Sequence, residues 1–410
     1  MTIRDDAFSI INQTIKSVQP DQAVKKALDK INLNASNLYL LSIGKAAWTM
    51  ANAACKILGD RIKKGIVITK YDHVMGEIPG IDCYEAGHPI SDANSYFATD
   101  RALDMVSNLN EDDLVLFLVS GGGSALFEKP MVDSSELESI NKQLLASGAD
   151  IEEINTIRKR LSMVKGGRFA QICSPARIEV IVLSDVLGDP LDIIASGPAY
   201  PDSSSSQDAL NIVEKYDLIL GEGVKVALCR ETPKVINNAN HTITGSVKDL
   251  ILNAERHAKS LGYKTLVLTD QLDCIAKEAG TFMGAIARSY LDRGPIAIIL
   301  GGETVVELTG PGKGGRNQEL ALSAAQKISS LDNVVIFSVG SDGTDGPTDA
   351  AGAIVDGFSK DMIEKSGKKI YEILKENDSY NYLKSIDGLV MTGPTGTNVN
   401  DFSVILIGKK

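Results

Sequence analysis

The chain is poor in the residues that build metal cages and disulfide frameworks. Its five cysteines (Cys55, Cys83, Cys173, Cys229, Cys274) are scattered, odd in number and without CxxC spacing. That pattern argues against a zinc site or a disulfide scaffold and fits reduced thiols in a cytoplasmic protein. The four histidines (His73, His88, His241, His257) share no metal-ligand spacing, and His88, in the turn GHPISD, reads as structural. No apolar run approaches the ~20 residues that a membrane-spanning helix needs, so no membrane partner is expected. The opening stretch MTIRDDAFSIINQTIKSV is polar with a helical period, and a helix rather than a signal peptide is expected there. Positive charge is scarce too: 42 Lys and Arg stand against 53 Asp and Glu, a formal net charge of −11. Nucleic acid is therefore not an expected partner, because that affinity rests on neutralising phosphates. An acidic chain that binds an anion has to gather its few useful cations locally.

What is present is an alternation of short apolar runs and longer amphipathic stretches. Strands are predicted at Leu38–Ile43, Gly65–Thr69, Leu114–Val119 and Glu179–Ser184, with helices such as Ala46–Leu58, Asn94–Asn108 and Ser134–Ser147 between them. This is the pattern of parallel βαβ units covered on both faces. After a serine-rich loop, Asp202–Gln207, and a linker expected at Glu231-Thr232-Pro233, a second series follows, with strands at Lys264–Thr269, Pro295–Leu300 and Val334–Val339. A chain of 410 residues exceeds one ordinary core. The fold class is accordingly α/β with two domains, 1–235 and 236–410. The final strand, Phe402–Ile407, is left free to return to the first domain.

In open parallel sheets ligands bind outside the carboxyl ends of the strands, and those ends are chemically loaded here. Two glycine-rich strand-to-helix turns stand out. The first is Ser120-Gly121-Gly122-Gly123-Ser124; the second, TGPGKGG, leads into Arg316. Bare backbone brings N–H groups close to phosphate oxygens, and a helix N-terminus adds positive potential. Lys45, at the turn SIGKAAW, is a cation at a helix start, where the dipole disfavours it by ~0.3–1 kcal/mol unless an anion binds in front of it. Arg316 repeats the anomaly, with Glu319 as the local partner that would make it an ordinary helix-entry residue. Ser120 and Ser124 are expected either to donate to phosphate or to cap the next helix. Asp185 and Asp189 in SDVLGDP, and Asp342 and Asp345 in SDGTDGPTDAAG, could hold Mg²⁺ together with phosphate oxygens, or orient a hydroxyl as general base. Asp-Gly pairs also simply make turns. Asp185 and Asp342 are placed nearest the chemistry, with Asp189, Asp345 and Glu303 secondary. The basic run Arg158, Lys159, Arg160, Lys165, Arg168 reads as a solvated helix face, except that the break at Lys165-Gly166-Gly167 is expected to turn Lys165 toward a nucleotide.

Taken in order, the motifs SIGKAA, GHPISD, VSGGGSAL, NTIRKRLSMVKGGRFA, SDVLGDP, GGETVVELTGPGKGGRNQE, SDGTDGPTDAAG and TGPTGTNVND resemble one family, the two-domain glycerate kinases with a C-terminal MOFRL module. The likeness runs from about Lys45 to the C-terminus. It implies a Rossmann-like N-terminal domain, a MOFRL-type α/β C-terminal domain and an interdomain cleft. It also implies transfer of the ATP γ-phosphoryl group to D-glycerate with Mg²⁺, 2-phosphoglycerate as the product of archaeal-type members, and catalytic roles at Lys45 and Arg316. A homodimer is compatible with this expectation. The rival readings are a nicotinamide-dependent hydroxypyruvate reductase, which would want a GxGxxG turn followed by an acidic residue ~20 positions later, and a non-catalytic nucleotide or sugar-acid sensor.

Overall fold

The computed structural model describes residues 2–409. The chain divides into two compact units. One comprises Ala23–Ser184 and Asp189–Thr244; the other holds the chain up to Gln22, Asp185–Gly188 and everything from Gly245 onward. The expected division at 235/236 is displaced because the next strand belongs to the first sheet. The expected linker is also an integral part of the first unit: Thr232 is buried and its hydroxyl donates to Asp202 at 2.7 Å.

The first unit is built on six strands: β1 Asn37–Ile43, β2 Ile62–Lys70, β3 Ile81–Ala86, β4 Asp113–Val119, β5 Arg177–Leu183 and β6 Ala239–Thr244. All pairings are parallel and the order is β3-β2-β1-β4-β5-β6. Strand β4 (DLVLFLV) is buried along its whole length, as an inner strand covered on both faces must be. Sequence-coded caps start the covering helices. Asp92 and Ser95 form a capping box for helix Ala93–Val106, and Asp150 and Glu153 do so for helix Ile151–Arg160. The order reverses between β1 and β4, and a doubly wound sheet opens a crevice at that switch point.

The second unit has strands β7 Lys264–Leu272, β8 Ile296–Gly302, β9 Val334–Gly340, β10 Gly352–Asp356, β11 Leu389–Val390 and β12 Asp401–Ile407, in the order β11-β10-β9-β12-β8-β7. Alternation of strands and helices predicts a parallel sheet, but among the described residues only strands β7 and β8 pair that way; β12 runs antiparallel between β8 and β9. Strand β12 therefore does not return to the first sheet but is a central strand here, buried throughout. Its antiparallel register sets Asp401 opposite both Gly302 and Gly340, so its first residue lies at the edge where β8 and β9 end. The N-terminal helix Ile3–Ser17 packs on helix Val247–Ser260 and on β9.

Candidate active site

In the first unit the switch point is occupied by the end of β1 and the glycine turn after β4. Gly44 has φ 111°, and a Cβ there would lie within 2.7 Å of the main chain and hydroxyl of Ser120. Only glycine allows the two strand ends to come so close. The Lys45 amide donates to the Gly121 carbonyl at 2.9 Å, locking one turn onto the other. Ser120 is buried; its hydroxyl donates to the Ile43 carbonyl and accepts from the Ala46 amide, each at 3.1 Å. Its expected donation to phosphate is thereby corrected: it braces the strand ends. Ser124 shares a 2.8 Å hydrogen bond with Ser196, which donates to Asn155. Gly123 is buried, whereas Gly121 and Gly122 are half-exposed, and among the described residues their amides donate to no backbone acceptor. Gly122 has φ 82°, and a Cβ on it would sit 2.9 Å from Cδ2 and Nε2 of His88 and 3.2 Å from Cγ of Lys45.

Lys45 is half-buried, and among the described residues no carboxylate pairs with it. The helix that follows, Ala47–Leu58, has no side-chain cap and no acidic residue in its first turn. A lysine and an uncapped helix start, with open glycine amides beside them, form a small positive station with no built-in anion.

The second unit assembles a different kind of station. Arg316 opens helix Arg316–Ile328. Its Nε and Nη2 grip Asp401 Oδ2 and Oδ1, the latter at 3.0 Å, while Nη1 lies 2.9 Å from Glu303. Its partner is thus not Glu319, which is buried and accepts from Asn377 at 2.7 Å. Burial is the largest single effect on Arg316 and lowers its pKa, but Asp401, Glu303 and Asp345 together outweigh it and raise the value, whereas burial pushes the Asp401 carboxyl up to about 6 in spite of the guanidinium. The buried Asp345 carboxylate caps the helix from outside, accepting from the Asn317 and Gln318 amides at 3.1 and 2.9 Å. Burial raises its pKa. Asp345 is therefore a structural cap, and this helix start is not an open anion site. The TGPGKGG glycines are bare for a related reason: side chains at Gly310 and Gly312 would strike the main chain at Glu376, and one at Gly315 would strike Asp345.

Asn400 Nδ2 donates to Glu303 and to the Asp185 carbonyl, each at 3.0 Å, so it ties Asp185 to the same edge. Asp342 shapes its own turn, accepting from the amide and hydroxyl of Thr344 at 3.0 and 3.1 Å. Its Oδ1 and that of Asp401 both lie 3.2 Å from where a Cβ on Gly340 would be. Asn400 and Asp401 were missed from sequence although both sit in TGPTGTNVND; the signal was the motif, but its use required the antiparallel register of β12.

The remaining predicted residues are structural. Lys165 is fully buried and ion-paired with Glu128, which corrects its expected place at a nucleotide. Burial lowers its pKa to about 8. Nor is the basic run a solvated face: Lys159 and Arg160 are buried around Asp202, at 3.2 and 3.6 Å. Asp189 adopts a left-handed φ of 56° in the loop after β5 and makes no ion pair among the described residues.

Residues 6–228 match the family model described as a domain of unknown function, DUF4147, and residues 296–401 match the MOFRL family. A D-glycerate 2-kinase from Thermotoga maritima is 51% identical over 98% of this chain and 97% of its own length. This chain belongs to the two-domain glycerate kinase family. Another member, a glycerate 2-kinase from Pyrococcus horikoshii, is 39% identical over 100% of this chain and 98% of the relative. The crystal structure of a glycerate kinase from Thermotoga maritima superposes with a TM-score of 0.96, covering 98% of this chain and 99% of that one. Among the described residues no helix is long and apolar enough to cross a membrane.

Proposed function

We propose that this chain transfers the γ-phosphoryl group of ATP to the 2-hydroxyl of D-glycerate, giving 2-phosphoglycerate and ADP. The observation that carries this reading is Lys45, a lysine without a carboxylate partner, held beside the open amides of Gly121 and Gly122 at the switch point of a β3-β2-β1-β4-β5-β6 sheet. Phosphoryl transfer asks a protein mainly for positioning and for stabilisation of charge on the moving oxygens. Lys45 and the glycine amides bind and neutralise phosphate oxygens. Arg316, oriented by Asp401 and Glu303, presents its remaining N–H groups in a fixed plane.

Magnesium would accompany the nucleotide, supplying further neutralisation of its oxygens. Among the described residues no three His, Cys, Asp or Glu side chains converge as a metal cage. That fits an ion usually held by one or two carboxylates plus phosphate oxygens. Asp342 and Asp185, both tied to the edge that Asn400 organises, are the residues that would hold it.

The reductase reading has weaker support. The sheet order suits a dinucleotide, but the β1 turn reads Ile43-Gly44-Lys45-Ala46-Ala47, and β2 ends in Lys70 where an NAD site wants a carboxylate. Incubating the purified protein with ATP, Mg²⁺ and D-glycerate and following phosphorus NMR tests the proposal. A 2-phosphoglycerate resonance with matching ADP is expected. Its absence, or oxidation of NADH with hydroxypyruvate, would refute it.

A further inference from the structure

His88 stands two residues beyond the end of β3, on a turn that reaches the glycine loop after β4. The Cδ2–Nε2 edge of its ring lies over Gly122, close enough that a methyl group there would contact it at 2.9 Å, and the Lys45 stem touches the same point. The ring is half-buried and, among the described residues, makes no hydrogen bond. Its nitrogens are not among the buried polar atoms left without a partner, so they are open to solvent and to a ligand at the glycine turn. We propose that His88 is a catalytic residue of the reaction proposed above, the group that accepts the proton of the attacking glycerate hydroxyl.

The step is balanced. The hydroxyl O–H bond breaks and its proton passes to the neutral imidazole. The oxygen lone pair forms a bond to the γ-phosphorus of ATP, the bond from that phosphorus to the bridging oxygen breaks, and its electrons leave with ADP. The imidazolium then releases its proton to water. A base needs to be neutral at working pH, and the surroundings act in that direction. Burial lowers the pKa of His88 first, and Lys45 at the end of β1 and Lys70 at the end of β2 lower it further. Asp92, four residues further on at the start of helix Ala93–Val106, is committed to Ser95 and to the Tyr71 hydroxyl at 2.6 Å. Lys45 on the phosphoryl oxygens and His88 on the nucleophile would thus work side by side over Gly122.

The test is His88→Gln in the full-length protein, assayed by ADP release and product formation across pH 5 to 8. Turnover is expected to fall by roughly 10²-fold or more, with KM for ATP within about threefold of the parent. The acid side of the pH profile, which lies below pH 6.5 for this group, should also lose one ionisation. Turnover within threefold of the parent, an unchanged acid limb, or a loss explained by lower thermal stability and a raised KM would each overturn the proposal. If the parent chain itself makes no phosphoglycerate, the kinase reading fails. If the parent is active and H88Q matches it, only the role of His88 fails.

Discussion

Replacing Lys45 by Met separates function from stability more cleanly than any other change in this chain. Methionine keeps the aliphatic stem that packs against Gly122 and removes the ammonium, which pairs with no carboxylate among the described residues. No buried counter-charge is orphaned. The helix that begins at Ala47 has no acidic residue in its first turn, so loss of a cation beside its N-terminus relieves a repulsion of ~0.3–1 kcal/mol. Folding stability is expected to stay level or rise by up to that amount. Catalysis should move the other way. A preorganised donor aimed at transition-state charge is worth roughly 10²–10³-fold in kcat, about 2.7–4 kcal/mol. The assay is steady-state ADP release with D-glycerate beside urea unfolding at pH 7, with the m-value checked for constancy. A kcat within fivefold of the parent would remove Lys45 from catalysis. A stability loss above about 2 kcal/mol would show that the lysine has a structural partner and that the station is not an open one.

Arg316→Met should behave in the opposite way, losing both turnover and stability. Asp401 is left buried without its partner, and breaking a buried pair costs about 3–5 kcal/mol; the lower end is expected because the Arg316 side chain is 32% exposed. The sign with pH follows from the Asp401 carboxyl, whose folded value of about 6 already lies above its reference of 3.8. Ionised Asp401 disfavours the fold above pH 6, and that penalty fades as the pH falls toward 4. Loss of Arg316 raises the folded value further, so the R316M deficit should be largest near pH 7 and narrow on acidification; urea unfolding at pH 5 and pH 7 checks this, and a deficit that widens toward pH 5 contradicts it. Lys165→Met should cost about 3–5 kcal/mol by stranding Glu128, yet leave the KM for ATP within threefold. A tenfold rise in that KM with unchanged unfolding would return Lys165 to the nucleotide.

Most of the first unit was legible because its signals are local. The apolar run Leu114–Val119 and the glycine turn after it can be read in one window, and strand, turn and Lys45 fell where expected. Strands β3 and β6 were not, because edge strands carry mixed burial and show no continuous apolar run. The basic run from Arg158 was misread for a different reason. A cluster of charges in sequence does not reveal a distant Asp202 or Glu128, and those partners turned an expected solvent face into buried pairs. The second unit was the least legible where its chemistry lies. Nothing local distinguishes the last strand as antiparallel, and that one fact of register brings Asp401 to Gly302 and Gly340, and so to Arg316.

The two stations also differ in what they can attract. Around Arg316 stand Asp401 and Glu303, with Asp342 across Gly340. One guanidinium among three carboxylates leaves an excess of negative charge, so that edge does not draw a bare anion by field alone; it favours a cation, or an anion that arrives with one. What the carboxylates give Arg316 is orientation: a bidentate pair fixes the plane of the fork before any ligand comes. Lys45 is the reverse case. With Lys70 acting on the adjoining His88 and no carboxylate paired to Lys45 among the described residues, its station carries net positive charge but leaves the ammonium free to adjust. An acidic chain of net charge −11 can concentrate a triphosphate only where such an excess is left uncancelled. On the proposed reading, capture of the nucleotide would belong to the unit that holds Lys45, and geometric selection in the transferring step to the residue held rigid by Asp401.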